Sequence, residues 1–186
     1  MKKVKGFTMI ELLIVIAVLG ILAVAVLAAI NPIEQINRSR DTGSRSDAEQ
    51  LIGAIDRFYT ANGYYPWVDS ADNPDYDQPW RKVDMTWVDN LGNSVLTKLS
   101  DPTQGTAEIK ESFVDRITDS EYNSLYIYNN GQQGGSTYVC FMPKSANFLN
   151  EANRRAGQNC AGLPPDLQTA GCDNICPGGK CFSCLP

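Results

Sequence analysis

The sequence predicts an α+β protein in which a long helical N-terminal part precedes a β-containing part that is cross-linked by disulfides. Three observations support this class. A nearly uncharged apolar run is followed by a helix-period apolar stripe that ends near residue 62. Two segments rich in β-branched and aromatic residues flank a glycine-rich turn within residues 124–142. The chain also has six cysteines, and the first of them is Cys140.

The apolar run covers residues 7–30, and from Met9 to Ile30 its only charged residue is Glu11. About 20 apolar residues span a bilayer, and a carboxylate inside such a segment is costly and usually marks a functional site. An ordinary secretory signal would be shorter, and a simple membrane anchor would not explain Glu11. Lysines precede the run and an acidic domain follows it, which places the N-terminus inside the cell and the domain outside.

A second helix is predicted for residues 31–65. Asn31-Pro32 predicts a kink or local break at its start, and Asn62-Gly63 followed by Pro66 predicts its end. The polar residues 37–47 are expected to be helical but solvated, or partly melted. The apolar stripe is formed by residues three and four apart, namely Ala48, Leu51, Ile52, Ile55, Phe58 and Tyr59.

The remaining residues, 66–186, are predicted to form a β-rich head with a cysteine-rich tail. Residues 67–105 look like a loop whose three tryptophans cover the helix stripe and whose aspartates are solvated, because their spacing differs from a calcium loop. Residues 106–123 are ambiguous between short helix and strand. Residues 124–142 are predicted to be a hairpin, and residues 145–156 a short helix that ends at Gly157.

The cysteines are expected to form disulfides, because an even number beyond a membrane segment is typical of an oxidising compartment. A four-cysteine zinc site in the tail is the alternative, although zinc sites favour two pairs separated by a longer loop. We predict Cys140–Cys160, with the last four pairing among themselves and Cys176–Cys181 closing "PGGK". The candidates are Cys140, Cys160, Cys172, Cys176, Cys181 and Cys184.

Charge and composition limit the classes of function. The net charge is −5, and without the three leader lysines 13 basic residues face 21 acidic ones, a net charge of −8. An acidic body argues against broad contact with nucleic acid, although "NRSRDTGSR" supplies three arginines. The chain has no histidine, which excludes Ser-His-Asp and Cys-His sites. We therefore expect no enzyme, cofactor or metal site, and no direct nucleic-acid partner.

The stretch "KGFTMIELLIVIAVLGIL" resembles the prepilin signature of type IV pilins and pseudopilins, and "NGYYP" resembles the end of the pilin helix. The resemblance covers residues 1–66 and implies the pilin fold, a long helix packed on a small antiparallel sheet. It implies a cleaved leader at 1–6, a membrane and filament-core helix at 7–30, an amphipathic helix at 31–65 and the head beyond.

The resemblance also implies roles for three N-terminal residues. Prepilin peptidase would cut between Gly6 and Phe7, and the new amine of Phe7 would be methylated. Glu11 would be the glutamate that the family has at the fifth mature position. Gly20 matches a common helix glycine, whereas many type IV pilins have proline where this chain has Ala28. Residues 101–108 match poorly the calcium segment of the major pseudopilins.

A physical role for Glu11 follows from the cut. The freed amine of Phe7 is a cation, and in a lipid-free helix bundle it needs an anion. Glu11 of an adjacent subunit can supply that anion and would then fix the helix register. The intrachain pair is the alternative, because Phe7 and Glu11 are four residues apart on one helix.

The implied function is that of a structural subunit of an extracellular filament, with roles in adhesion, twitching motility, biofilm formation or DNA uptake. Its partners would be other copies of itself, prepilin peptidase, the assembly platform with its ATPase, and the membrane before assembly. The alternatives are a pseudopilin or minor pilin of a secretion or DNA-uptake machine, and a membrane-anchored binding protein that never polymerises.

Overall fold

The structure is a computed structural model that describes residues 6–29, 31–73, 76–103, 106–119, 123–132 and 135–186. The chain divides into two compact units, Met1–Ile36 and Asn37–Pro186. We call the second unit the head. Helix α1 (Met9–Ala29) belongs to the first unit, and helix α2 (Pro32–Asn62) begins in the first and continues into the second.

The predicted interruption at Asn31-Pro32 is confirmed, since α1 ends at Ala29 and α2 begins at Pro32. The Asn31 side chain accepts a hydrogen bond from the Glu34 N–H at 3.3 Å, as an N-cap residue does. Proline is favoured at the first helical position because its missing N–H would be unpaired there anyway. The two residues therefore start a new helix.

The predicted apolar stripe and end of α2 are also confirmed. Its buried residues include Ala48, Leu51, Ile55 and Phe58. The helix stops at Gly63, whose φ of 79° lies in the left-handed region that glycine adopts at little cost. The Gly63 N–H donates to the carbonyl oxygen of Tyr59 at 2.7 Å.

The head contains a four-stranded antiparallel sheet. The strands are β1 (Asp77–Lys82), β2 (Leu125–Asn130), β3 (Tyr138–Phe141) and β4 (Ser183–Leu185), in that order across the sheet. The hairpin predicted within 124–142 is confirmed as β2 and β3. Side chains alternate between two faces, so Ile127 and Val139 join the core formed with α2, whereas Tyr128 and Tyr138 pack against the C-terminal tail.

The prediction that residues 67–105 form a loop is wrong in part, because they contain β1 and helix α3 (Val95–Ser100). Strand β1 has the sequence "DQPWRK", which is poor in strand-forming residues, and its pairing with β2 is irregular between Gln78 and Arg81. The ambiguous residues 106–123 contain helix α4 (Glu111–Thr118), which buries Phe113, Val114 and Ile117. Both β1 and α4 are therefore stabilised by tertiary contacts, which local sequence patterns do not show.

Two of the three tryptophans lie where they were predicted. Trp67 and Trp87 are buried in the core that includes the α2 stripe. Trp80 instead packs on the tail side of the sheet, where its ring centroid lies 5.6 Å from Tyr126 and 5.2 Å from Phe182. Its placement follows from strand alternation rather than from the helix stripe.

The tail beyond β3 begins with helix α5 (Ala146–Ala156), which confirms the helix predicted there. Ser145 is its N-cap and accepts a hydrogen bond from the Phe148 N–H, and Gly157 follows its last residue. Only short turns follow before β4. They are the 3₁₀ turns Gln158–Cys160 and Pro177–Gly179, and the helical turns α6 (Pro165–Gln168) and α7 (Cys172–Ile175).

Candidate processing and assembly site

The predicted cleavage position lies just outside the first helix. Gly6, Phe7 and Thr8 are not helical, and α1 begins at Met9. Phe7 is 82% exposed, and a Cβ placed on Gly6 would meet nothing within 4 Å. The Gly6–Phe7 peptide bond thus lies in open, non-helical backbone, which is the form a protease can engage. The cut and the methylation themselves stay predictions.

Glu11 forms a reciprocal cap with Thr8 at the start of α1. The Thr8 N–H and the Thr8 hydroxyl both donate to Glu11 Oε2, at 2.8 and 2.7 Å. In return the Glu11 N–H donates to Thr8 Oγ1 at 3.3 Å. Thr8 is the N-cap and Glu11 the third helical residue, so the pair is a capping box. The negative carboxylate also lies where the helix dipole favours it.

Thr8 is a residue that the sequence interpretation missed. The two partners considered for Glu11 were the amine of an adjacent subunit and that of its own chain. In the uncut chain Glu11 has a third partner, because Thr8 supplies two hydrogen bonds to its carboxylate. The pattern "TMIE" before an apolar run matches the known capping-box signature, so the sequence contained the information needed to find it.

Helix α1 leaves its apolar side chains uncovered. The exposure of its large hydrophobic residues runs from 45% at Val15 to 85% at Met9. Within the described part of the chain, one helical segment, Met9–Leu27, is long and apolar enough to cross a membrane, judged by length and composition alone. A helix that is apolar all round is stable only in lipid or among other helices. A Cβ on Gly20 would also meet nothing within 4 Å.

The tail forms three disulfides, Cys140–Cys184, Cys160–Cys172 and Cys176–Cys181. The predicted Cys176–Cys181 is therefore confirmed. The predicted Cys140–Cys160 is wrong, and so is the prediction that all of the last four cysteines pair among themselves, because Cys184 and Cys172 bond to Cys140 and Cys160. The reason is the register of β3 and β4, which places Cys140 opposite Cys184. Cys160 is then left to pair with Cys172.

Potential metal ligands gather at one place in the described residues, where the sulfurs of Cys160, Cys172 and Cys176 lie within 4.8 Å of one another. Each of them belongs to a disulfide. Zinc binds the thiolate form of cysteine, so this oxidised cluster does not fit the metal. Of the acidic stretch, Asp72 and Asp77 are exposed, as predicted, and Asp75 lies outside the described residues. Asp69 is half-buried instead and accepts a hydrogen bond from the Asn73 side chain at 3.0 Å.

Buried acids instead tie the polar part of α2 to the rest of the head. Residues 37–47 were expected to be helical but solvated, or partly melted; they are helical, yet Asp41, Ser44 and Asp47 are buried rather than solvated. The Asp41 carboxylate accepts hydrogen bonds from the Lys144 N–H, the Ser145 N–H and the Ser145 hydroxyl, at 2.9, 2.8 and 2.6 Å. Asp47 pairs with Arg116 at 2.6 Å. The expectation was wrong because these partners are distant in sequence.

Comparison with known proteins gives two matches. Residues 1–27 match the family described as "Prokaryotic N-terminal methylation motif". The chain is also 41% identical over 154 residues to "Fimbrial protein EcpC" of Eikenella corrodens, which covers 82% of this chain and 92% of that protein. The similarity therefore extends well into the head. No solved structure matches the chain.

Proposed function

The chain belongs to the type IV pilin-like fimbrial proteins, and from this premise we propose that it is a structural subunit of an extracellular, type IV pilus-like filament. Proteins of this family are structural rather than catalytic. The proposal extends the family membership in three respects: how the chain is processed, what covers α1 after assembly, and what Glu11 binds.

Processing begins in the cytoplasmic membrane. The precursor spans it once through α1, with the basic leader on the cytoplasmic side. Prepilin peptidase cuts between Gly6 and Phe7, and the amine of Phe7 is methylated. The match of residues 1–27 to the methylation motif supports this step. The exposed, non-helical backbone at Gly6 and Phe7 supports it as well.

The observation that carries the proposal is the uniform exposure of α1. Its large apolar side chains are at least 45% exposed on every side of the helix. Burial of apolar surface contributes about 25 cal/mol per Å², so α1 gains from any environment that excludes water. The bilayer is the first such environment. A bundle of α1 helices from other copies of the chain is the second, and it forms the filament core.

Glu11 changes partner between these environments. In the uncut chain its carboxylate is held by Thr8. Cleavage creates an ammonium group on Phe7, and in the filament core this cation pairs with Glu11. The pair is formed between adjacent subunits, where it fixes their register, or within one chain. The further partners are the assembly platform with its ATPase, which lift the processed chain from the membrane.

Mass spectrometry of the protein recovered from cells tests the processing step. We expect a chain that begins at Phe7 and has one methyl group on its amine. A chain that begins at Met1, or a cut near Val26, would contradict it.

A second experiment tests assembly. Glu11→Ala should leave cleavage largely intact but abolish fibres in sheared surface material viewed by electron microscopy. Glu34→Ala is a matched control, because it removes a first-turn carboxylate from α2 instead, and we expect it to retain fibres. Normal fibres from Glu11→Ala would refute the pairing role. Absence of the protein from wild-type fibres would refute the filament proposal itself.

A further inference from the structure

Two disulfides of the tail lie in direct contact. The sulfur of Cys160, which is bonded to Cys172, is 3.6 Å from the sulfur of Cys176, which is bonded to Cys181. The sulfurs of Cys160, Cys172 and Cys176 all lie within 4.8 Å of one another. The Cys140–Cys184 disulfide is not part of this group.

The local backbone explains why Cys160 has two close partners. Cys172 begins the turn α7, and the Cys176 N–H donates to the Cys172 carbonyl oxygen at 2.7 Å. Residues four apart on a helical turn lie on the same face. Cys172 and Cys176 therefore present both sulfurs to one side. Cys160 reaches that side from the 3₁₀ turn Gln158–Cys160, where its own φ is 61°.

Accessibility differs between the two ends of each bond. Cys160 is 2% and Cys181 7% exposed, whereas Cys172 and Cys176 are half-buried. A thiolate from solution meets the more accessible sulfur of a disulfide first. Attack on Cys172 would release Cys160, which is already in contact with a second disulfide.

We propose that Cys160, Cys172, Cys176 and Cys181 form a thiol–disulfide exchange site whose co-reactant is a small thiol. The thiolate attacks Cys172 Sγ, forms a mixed disulfide there and expels the Cys160 thiolate. Cys160 then attacks Cys176 Sγ, forms Cys160–Cys176 and expels the Cys181 thiolate. Cys181 finally attacks the mixed disulfide at Cys172, forms Cys172–Cys181 and returns the small thiolate. Three bonds form and three break, and nothing is oxidised or reduced overall.

The exchange gives the tail two covalent forms. In the described form Cys176–Cys181 closes a loop around the exposed residues 177–180. In the other form Cys160–Cys176 joins residues 16 apart, and Cys172–Cys181 closes a larger loop that includes residues 177–180. The Cys140–Cys184 bond, which joins β3 to β4, stays the same in both. None of the four exchanging cysteines lies in a strand, so we expect the sheet to be retained.

A cysteine variant tests the internal step without any added thiol. Cys172→Ser in the full chain, purified in detergent, leaves Cys160 without its partner. We expect the Cys160 thiolate to attack Cys176 and release the thiol of Cys181. Alkylation at mildly alkaline pH followed by peptide mapping should then find the label on Cys181 and a Cys160–Cys176 bond. A label found mainly on Cys160, with Cys176–Cys181 intact, overturns the proposal. In the matched control, Cys184→Ser, the label should stay on Cys140 and both other bonds should persist. Scrambling there would also overturn it.

The wild-type chain provides a test that is independent of how the variant folds. Incubation with a small amount of reduced glutathione, followed by acid quenching, should yield peptides linked through Cys160 and Cys176. Cys140–Cys184 should be unchanged in the same sample. Glutathione attached to Cys172 with no Cys160–Cys176 linkage at any time would overturn the proposal. Because both readouts are chemical, neither depends on whether the chain forms filaments.

Discussion

The two units of the chain differ in how they treat their apolar residues: the head buries them against one another, and the first unit leaves those of α1 exposed. In the head, residues from α2, β2, β3 and the intervening helices bury one another, and Leu51, Ile55, Ile127 and Val139 are fully buried. In α1 the large apolar side chains are all exposed within their own chain. The head is thus complete as a folded body, whereas α1 is stable only in an environment that other molecules provide.

The same contrast applies to the acidic residues. Asp41 and Asp47 of the head are buried and bind groups that lie far along the same chain. Among the described residues, the Glu11 carboxylate of the first unit is bound by Thr8, three residues away, and remains exposed. The Glu11 carboxylate can easily exchange its hydrogen bonds from Thr8 for another partner, because both residues are exposed. The head's carboxylates are fixed by its fold, and Glu11 is free to change partner when the environment changes.

Removing α1 is the strongest test of this contrast. We expect residues 37–186 alone to be a soluble monomer with all three disulfides, because the described core lies within them. Gel filtration, circular dichroism and thiol counting would measure this. The matched chain, residues 7–186, should aggregate unless detergent is present. An aggregated or unfolded 37–186 chain would show that the first unit is required for the head to fold.

Within the head, Asp41→Ala should have the largest effect on stability. It leaves the Lys144 and Ser145 N–H groups and the Ser145 hydroxyl without their acceptor. Hydrogen bonds to a charged group contribute roughly 1.5–3 kcal/mol, so we expect the free energy of unfolding to fall by about 3–5 kcal/mol. Asp41→Asn keeps one acceptor oxygen and should lower the free energy of unfolding by clearly less. Denaturant unfolding of both variants measures this, and equal losses would contradict the specific role of the carboxylate.

Local patterns predicted the elements that depend on neighbouring residues. The 3.6-residue period identified α2, β-branched and aromatic residues identified β2 and β3, and Asn31-Pro32 and Gly63 marked helix boundaries. Strand β1 was missed because Pro79 and its charged residues are unfavourable in a strand, and pairing with β2 stabilises it nonetheless.

The wrong predictions share one cause, which is contact between residues that lie far apart in the sequence. The burial of Asp41 and Asp47 in the polar part of α2 was not predicted, because their partners, Ser145 and Arg116, are 104 and 69 residues away in the sequence. The cysteine pairing failed for the same reason, since the register of β3 and β4 decides it. At the candidate processing site, the roles of Gly6, Phe7 and Glu11 stay predictions that rest on the motif. Thr8 was omitted although the local pattern "TMIE" indicates its capping role.

Asp89→Asn should have a smaller effect that depends on pH. The Asp89 carboxylate is fully buried and lies 2.5 Å from the Lys98 ammonium. Burial raises the pKa of Asp89, but hydrogen bonds from Lys98 and Asn93 and the charge of Lys98 outweigh it, so the pKa is lowered. A lowered pKa stabilises the fold above the unfolded value of about 3.9, and this contribution disappears as the pH falls through the folded pKa.

We therefore expect Asp89→Asn to lower the free energy of unfolding of the head by about 3 kcal/mol at neutral pH, because it removes the negative charge beside the largely buried Lys98 ammonium and leaves it the Val68 carbonyl oxygen as an acceptor. The difference from wild type should shrink as the pH falls below about 4. Denaturant unfolding at several pH values measures both. A difference that is constant with pH would mean that packing, rather than the charge pair, explains the loss.

Thr8→Val, which lies in the first unit, should have the smallest effect. Valine has the shape of threonine but lacks the hydroxyl, so the variant loses one donor to Glu11 and the acceptor for the Glu11 N–H. Loss of an N-cap side chain costs about 1 kcal/mol. Hydrogen exchange of the first α1 amides in detergent should therefore become roughly fivefold faster, while unfolding of the head is unchanged. Thr8→Ser keeps the hydroxyl and should behave as wild type. Equal exchange in the two variants would show that Glu11 is held by the backbone alone.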